Sequence, residues 1–262
     1  MAAAVKSQGE RRIMIATTGK LGIDRMTPAV RPAGNAAGYQ CWRSLAFLHW
    51  EVAAPALREV VPAELELDLY EGSAYVGVVP FAMQDVRPSW WPHRLAFNFL
   101  ETNVRTYVVC NGRPGVYFFS LEANLRLAVL AARASFGLPY YHARMRMEQS
   151  GSVIEYLSRR TSNGAVHHLR CQVGEPVGGS EPGGLDHFLL ERYLLFVKRG
   201  GRLRVGQVHH RPYPVQRARV LEVRDDLIAA AGLPGVSTPP RWVHYSAGVD
   251  VEVFPLRTVD TR

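Results

Sequence analysis

The sequence predicts a strand-dominated α+β fold, an antiparallel sheet curved toward a barrel with a few short helices. Three observations carry this. From Tyr39 onward, short apolar or alternating runs recur, the signature of strands with one or both faces buried. Two-residue turn signals separate them, Asn111-Gly112 being the strongest, and such turns join strands into hairpins. Helical stretches are few and do not alternate with the strands, which argues against a doubly wound parallel sheet.

Taken in order, Arg43–Val52 reads as the first strand. Pro55–Val61 reads as a short helix, because proline suits a first turn and Pro62 stops the element. Leu65–Tyr70 and Ser73–Phe81 form a hairpin about Glu71-Gly72. Phe97–Cys110 and Val116–Leu121 form a second about Asn111-Gly112. Glu122–Phe136 is the strongest helix candidate. Leu125, Val129 and Ala132 recur there at helical spacing, and Gly137 and Pro139 end it. Ala143–Glu148 and Val153–Arg160 pair about Ser150-Gly151, and a strand at Val166–Val173 follows. Gly174–Gly184 reads as a loop. A short helix follows at Leu185–Glu191, then strands at Tyr193–Val197 and Leu203–His209 about Gly200-Gly201. A strand at Gln216–Val223, a helix at Arg224–Ala231 stopped by Gly232, and a strand at Val249–Phe254 complete the chain. Strands flank the Gly174–Gly184 loop on both sides, so residues 39–258 read as one domain.

Composition removes several function classes. The chain has 262 residues, 47% apolar and 21% charged, enough to bury a core without staples. Cys41, Cys110 and Cys171 are odd in number and far apart, so neither a disulfide framework nor a zinc site is expected. No apolar run approaches the roughly 20 residues of a membrane-spanning helix. The net charge is +8, and half of it lies in residues 1–38. That segment mixes Ala, Gly, Thr, Pro and Arg and lacks the apolar stretch of a secretory signal, so it reads as a disordered leader. The free cysteines and missing signal favour the cytoplasm. The remaining charge forms no basic stripe interleaved with aromatics, so no nucleic-acid partner is expected. Only Lys6, Lys20 and Lys198 are lysines, and the other basic residues are arginine.

Motifs narrow the chemistry further. GxSxG, GxGxxG and the phosphate-binding loop pattern are absent. His167-His168 and His209-His210 are adjacent pairs, and neighbours on a strand face opposite ways, so each offers one inward imidazole. No metal site is expected from them. The segment Glu101-Thr-Asn103-Val-Arg105-Thr-Tyr107 stands out. On a strand its odd positions share a face and line up a carboxylate, an amide, a guanidinium and a phenol. Such a stripe is either a ligand-facing wall, with Glu101 as acid or base and Arg105 as carboxylate clamp, or a solvent-facing side with a Glu–Arg pair. A second cluster, Arg133 with Tyr140, Tyr141 and His142, gathers polar rings where a helix ends. It is either functional or aromatic packing. A third, Glu191-Arg192-Tyr193 with His209-His210, reads as a junction that ties elements together.

These residues resemble the DUF2071, or YqjF-like, family. The carriers are His49-Trp50, Leu57–Pro62, Val78–Phe81, Phe99–Tyr107, Gly115–Leu121, Leu138–Tyr140, Glu191–Tyr193 and His210–Pro212. The resemblance runs from about Tyr39 to Leu256. The family carries no assigned activity. Its fold resembles that of acetoacetate decarboxylase, which implies a cone-shaped barrel around a small-acid pocket. In that enzyme a lysine forms a Schiff base with a keto acid. The matching positions here are Tyr140 and Tyr141, and a phenol cannot form an iminium. The enzyme's pocket glutamate corresponds to Glu101.

The function expected is therefore a pocket for a small carbonyl or carboxylate compound, without a Schiff-base lysine or a cofactor. Glu101 and Tyr140 are the expected catalytic groups, and Asn103, Arg105, Arg133 and Tyr141 the expected ligand contacts. The alternative is a binding or sensing module with no turnover. No membrane partner is expected, and self-association is left open.

Overall fold

The structure, a computed structural model, describes residues 22–259. Thirteen strands form one branched sheet. In chain order they are β1 (Gly38–Val52), β2 (Glu66–Leu67), β3 (Ala74–Pro88), β4 (Phe97–Cys110), β5 (Arg113–Ala123), β6 (Tyr140–Ser150), β7 (Val153–Arg160), β8 (Val166–Gly178), β9 (Leu194–Arg199), β10 (Arg202–His209), β11 (Val215–Asp225), β12 (Trp242–Val253) and β13 (Arg257–Thr258). The helices are α1 (Ala54–Val60), α2 (Arg126–Ser135), α3 (Leu185–Leu190) and α4 (Leu227–Ala230). The curved, strand-dominated sheet agrees with the expected fold class. Two ladders depart from antiparallel pairing: β5 runs parallel to β6 and to β9.

The branching closes two rings that share a wall. One passes through β5, β4, β3, β1, β12, β10 and β9. The other leaves β5 through β6, β7, β8 and β11 and rejoins at β12. Side chains alternate across β1, so Leu45 and Phe47 fill the first ring while Ala46 and Leu48 fill the second. On β3, Val79, Phe81 and Met83 face the first core, and Val76 and Val78 the second. A wall buried on both faces needs continuous apolar runs rather than alternation. Leu45–Leu48 and Ala74–Val79 are such runs. The first core also takes in α3, whose Phe188, Leu189 and Leu190 are almost fully buried.

Tight turns set the registers. Asn111 and Gly112 both have positive φ, 50° and 72°, and hold β4 against β5 in a two-residue hairpin. Gly115 is needed for another reason. A Cβ there would lie 2.6 Å from the Leu194 carbonyl oxygen and 2.7 Å from the Phe196 ring, where β5 meets β9. Gly115→Ala is expected to cost about 1–3 kcal/mol, as overpacking does. A chemical melt that left the midpoint unchanged would contradict this.

Several expectations need correction. Leu65–Tyr70 was expected to pair with the following strand, but only Glu66–Leu67 is strand, and it pairs with β4. A Tyr70–Ser73 bridge remains of that hairpin. Glu122 and Ala123 end β5 rather than begin a helix, because β4 offers them a ladder partner. Residues 224–225 likewise finish β11. Residues 174–178, expected as loop, extend β8. Part of the expected leader lies among the described residues. Residues 1–21 lie outside the described residues, whereas 22–37 pack on the sheet. Arg25 grips the buried Asp68 through two bonds of 2.6 and 2.8 Å. Gln207 donates to the Pro28 carbonyl at 2.9 Å, and Arg31 holds Glu252.

Candidate functional site

The polar stripe of β4 faces the first core. Register places Glu101 between Phe81 of β3 and Ala123 of β5, and Asn103 between Val79 and Leu121. The parallel pairing of Leu121 with Tyr140 brings the first residue of β6 to the same interior. There the Tyr140 hydroxyl donates to Glu101 Oε2 at 2.7 Å. Both residues are buried. Burial pushes the Glu101 carboxyl up to about 7, against hydrogen bonds from Tyr140 and Asn103 that favour its charged form. Glu122, behind it on the other face, adds a smaller upward push. Burial and the Glu101 charge hold the Tyr140 phenol well above its ordinary range, so it stays a donor. The pair combines a carboxyl that exchanges a proton near neutrality with a fixed O–H donor.

Arg105 and Tyr107 lie further along the stripe. Arg105 stands opposite Gly77, where a Cβ would press on the His49 ring at 3.1 Å. Arg105 Nη2 donates to the Leu189 carbonyl at 3.2 Å, and Tyr107 donates to the same oxygen at 2.8 Å. His49 Nε2 lies 2.7 Å from the Tyr107 oxygen. The phenol proton is directed at Leu189, so His49 Nε2 is the donor of that bond. Burial, with the Arg105 charge as a lesser cause, holds His49 well below its ordinary value and keeps it neutral.

The ion pairing of Arg105 is anomalous. The other two buried arginines each hold a carboxylate: Arg160 meets Glu122 and Arg192 meets Asp68. Arg105 has no carboxylate partner among the described residues, and its Nε has no hydrogen-bond partner. A buried guanidinium without a counter-charge is costly, so this is the feature that calls for an anion.

Other site expectations fare differently. Arg133 does not join this interior. Its side chain is exposed, Nε donates to the Tyr140 carbonyl at 2.6 Å, and the guanidinium lies over Tyr141. Tyr141 also turns away. Residues 140 and 141 sit on a strand, not in the expected loop, so they face opposite sides. Tyr141 lies 4.0 Å below the Arg160 guanidinium, beside the Glu122 pair. Lys198 is half-exposed and bound to Glu64 at 2.6 Å, far from any role as a sheltered amine. Sequence reasoning passed over His49 and treated His210 as part of a junction. The signal available was the adjacent-pair argument, since His210 is buried while His209 is half-exposed. Two surface clefts of about 390 and 440 Å³ lie elsewhere. One is lined by Gly178–Glu181 and Gly184–Asp186, the other by Val173–Pro176 and Tyr245. No cluster of three or more metal-ligating side chains occurs among the described residues.

The ring of strands with α3 in its interior defines an acetoacetate decarboxylase-like fold. The enduracididine biosynthesis enzyme MppR, solved in complex with pyruvate, superposes with a TM-score of 0.60 at 13% identity, over 93% of this chain and 99% of that one. Acetoacetate decarboxylase from Legionella pneumophila gives 0.58 at 13% identity, over 89% and 92% of the two chains. Within that fold class, this chain belongs to the DUF2071 family, described as an uncharacterized conserved protein, whose model matches residues 39–250. It is 38% identical over 221 residues to the uncharacterized protein YqjF of Bacillus subtilis (strain 168), covering 83% of this chain and 90% of that one.

Proposed function

We propose that the interior between Glu101 and Arg105 receives a small carboxylate or carbonyl compound. The observation that carries this is Arg105, buried on a strand face with no carboxylate among the described residues to balance it. Arg105 holds the ligand's carboxylate, and Asn103 lines the floor between the two ends. With Glu101 protonated and donating to the phenol oxygen, the Tyr140 hydroxyl is released from its bond to Glu101 to polarise a carbonyl, and Glu101 is the proton source beside it. The chemistry is proton transfer, hydration or C–C cleavage beside a carbonyl, without an iminium, since Lys198 is occupied at the surface. MppR, of similar fold, was solved in complex with pyruvate, which supports a small acid in this interior. The free cysteines favour a cytoplasmic protein. Glu101 is only 3% exposed, so ligand exchange requires the interior to open.

The test is thermal stability with pyruvate, acetoacetate and related acids. A ligand at a hundred times its Kd adds about 2.7 kcal/mol, which raises Tm by roughly 5–10 °C. Arg105→Met is expected to abolish that rise while leaving the protein folded, because it removes an unbalanced charge. A survey in which no acid raises Tm, or in which the rise survives Arg105→Met, overturns the proposal. Loss of turnover with retained binding in Glu101→Gln identifies an enzyme. Binding without product by NMR identifies a sensing module.

A further inference from the structure

This inference rests on the reading of Arg105 as a carboxylate clamp and names the ligand class. We infer that His210 is a second anchor of the same interior, an acceptor nitrogen that selects small hydroxy acids over acids lacking the hydroxyl.

The geometry of His210 fixes its chemistry. It follows the last residue of β10 and turns into the core, 3% exposed. Its ring stacks on Tyr193 at 4.7 Å and packs against Tyr213 at 4.7 Å and Trp42 at 5.7 Å. Nδ1 lies 2.7 Å from the Arg211 carbonyl oxygen. A carbonyl can only accept, so Nδ1 carries the hydrogen. Burial holds the imidazole down at about 4, so the ring is neutral at pH 7 and Nε2 is a bare lone pair.

That lone pair is buried and has no partner. A native structure rarely leaves such an acceptor orphaned, because it forfeits its hydration for nothing. Two of the three flanking ring donors are already spent. Trp42 Nε1 donates to Gln40 at 2.8 Å, and the Tyr193 hydroxyl donates to Glu191 at 2.6 Å. The Arg105 guanidinium lies 5.6 Å over the Phe47 ring, Phe47 packs on Tyr213 at 5.2 Å and Tyr213 on His210 at 4.7 Å, so the orphaned acceptor and the unbalanced cation adjoin one aromatic cluster. Arg105 calls for a carboxylate, and Nε2 calls for an O–H. A carbonyl oxygen would set lone pair against lone pair there. A hydroxyl on the carbon chain of a small acid satisfies both groups, and a further carbonyl on that acid remains free for Tyr140.

Titration calorimetry on the full chain tests this with matched probes: lactate against propionate and pyruvate, and 3-hydroxybutyrate against butyrate and acetoacetate. At least one hydroxy acid is expected to bind about tenfold or more tighter than its unhydroxylated match, because a site built for a hydroxyl rejects the analogue that lacks it. His210→Phe keeps the aromatic stack and is expected to bring that ratio close to one. His210→Gln, whose amide oxygen can accept, is expected to restore part of it. Binding of carboxylates that depends on Arg105 but shows no hydroxyl preference overturns the role of His210 alone. A preference that persists in His210→Phe does the same. Absence of binding by every acid overturns the clamp and this inference together.

Discussion

Arg160→Met is expected to destabilise the protein by about 3–5 kcal/mol, which lowers Tm by roughly 6–20 °C. Arg160 Nε and Nη2 both donate to Glu122 Oε1, at 3.0 and 2.5 Å, and the side chains are 3% and 0% exposed. Ser120 donates to the other carboxylate oxygen at 3.3 Å. Burial pushes the Glu122 carboxyl up, and Arg160 opposes that push. Without the guanidinium, the carboxylate is left buried with one long hydrogen bond, and Tyr141 loses the cation above its ring. The cost is that of the stranded partner, not of the pair. Glu122→Leu with Arg160→Met is therefore expected to recover most of the loss, since apolar replacement of a whole buried pair is often neutral. A shift in Tm under 2 °C for Arg160→Met alone would contradict the assignment of this pair to the interior.

Glu101→Gln is expected to stabilise the protein at pH 8 and leave it nearly unchanged at pH 4. The folded carboxyl titrates near 7, and the ordinary value is 4.5. Below 4.5 the group is protonated in both states and costs nothing. Between 4.5 and 7 the unfolded chain releases its proton while the folded chain keeps it, so stability falls as pH rises. Above 7 the loss is complete, at about 3 kcal/mol for a shift of this size. Glutamine keeps an acceptor for the Tyr140 hydroxyl and carries no charge to desolvate. Urea melts of both proteins across this range measure the difference. Parallel stability curves would mean that Glu101 titrates normally. The strained carboxyl is the same group proposed to move protons, so the stabilised variant is expected to be the inactive one.

The fold was legible where its cause is local. The bounds of β4 and β7 follow from alternation and from Asn111-Gly112 and Ser150-Gly151, because a tight turn fixes its own register. It was illegible where the cause is distant. Tyr140 opens a strand only because Leu121 runs parallel beside it, and no local period reports a parallel partner. Glu122 and Ala123 favour helix by composition, but a ladder to β4 outweighs that preference. The shared face of Glu101, Asn103 and Arg105 could be read from strand period alone. The missing counter-charge of Arg105 could not, because ion pairs join residues far apart in sequence. Arg160 and Glu122 are 38 residues apart with α2 and β6 between them, and Arg192 reaches back 124 residues to Asp68.

Asp68 also has a bearing on where this protein can be cut. Its carboxylate joins Arg25 and Arg192, while the Ala37 amide donates to the Val253 carbonyl. The Arg25 and Ala37 contacts reach beyond the span of sequence similarity, residues 39–250, whereas Arg192 lies within it. A chain trimmed to that span would leave Asp68 with one arginine instead of two and remove the last three residues of β12, including Val251 from the core around the site. The boundary defined by kinship is thus narrower than the boundary defined by contact, which takes in Arg25 at one end and Val253 at the other.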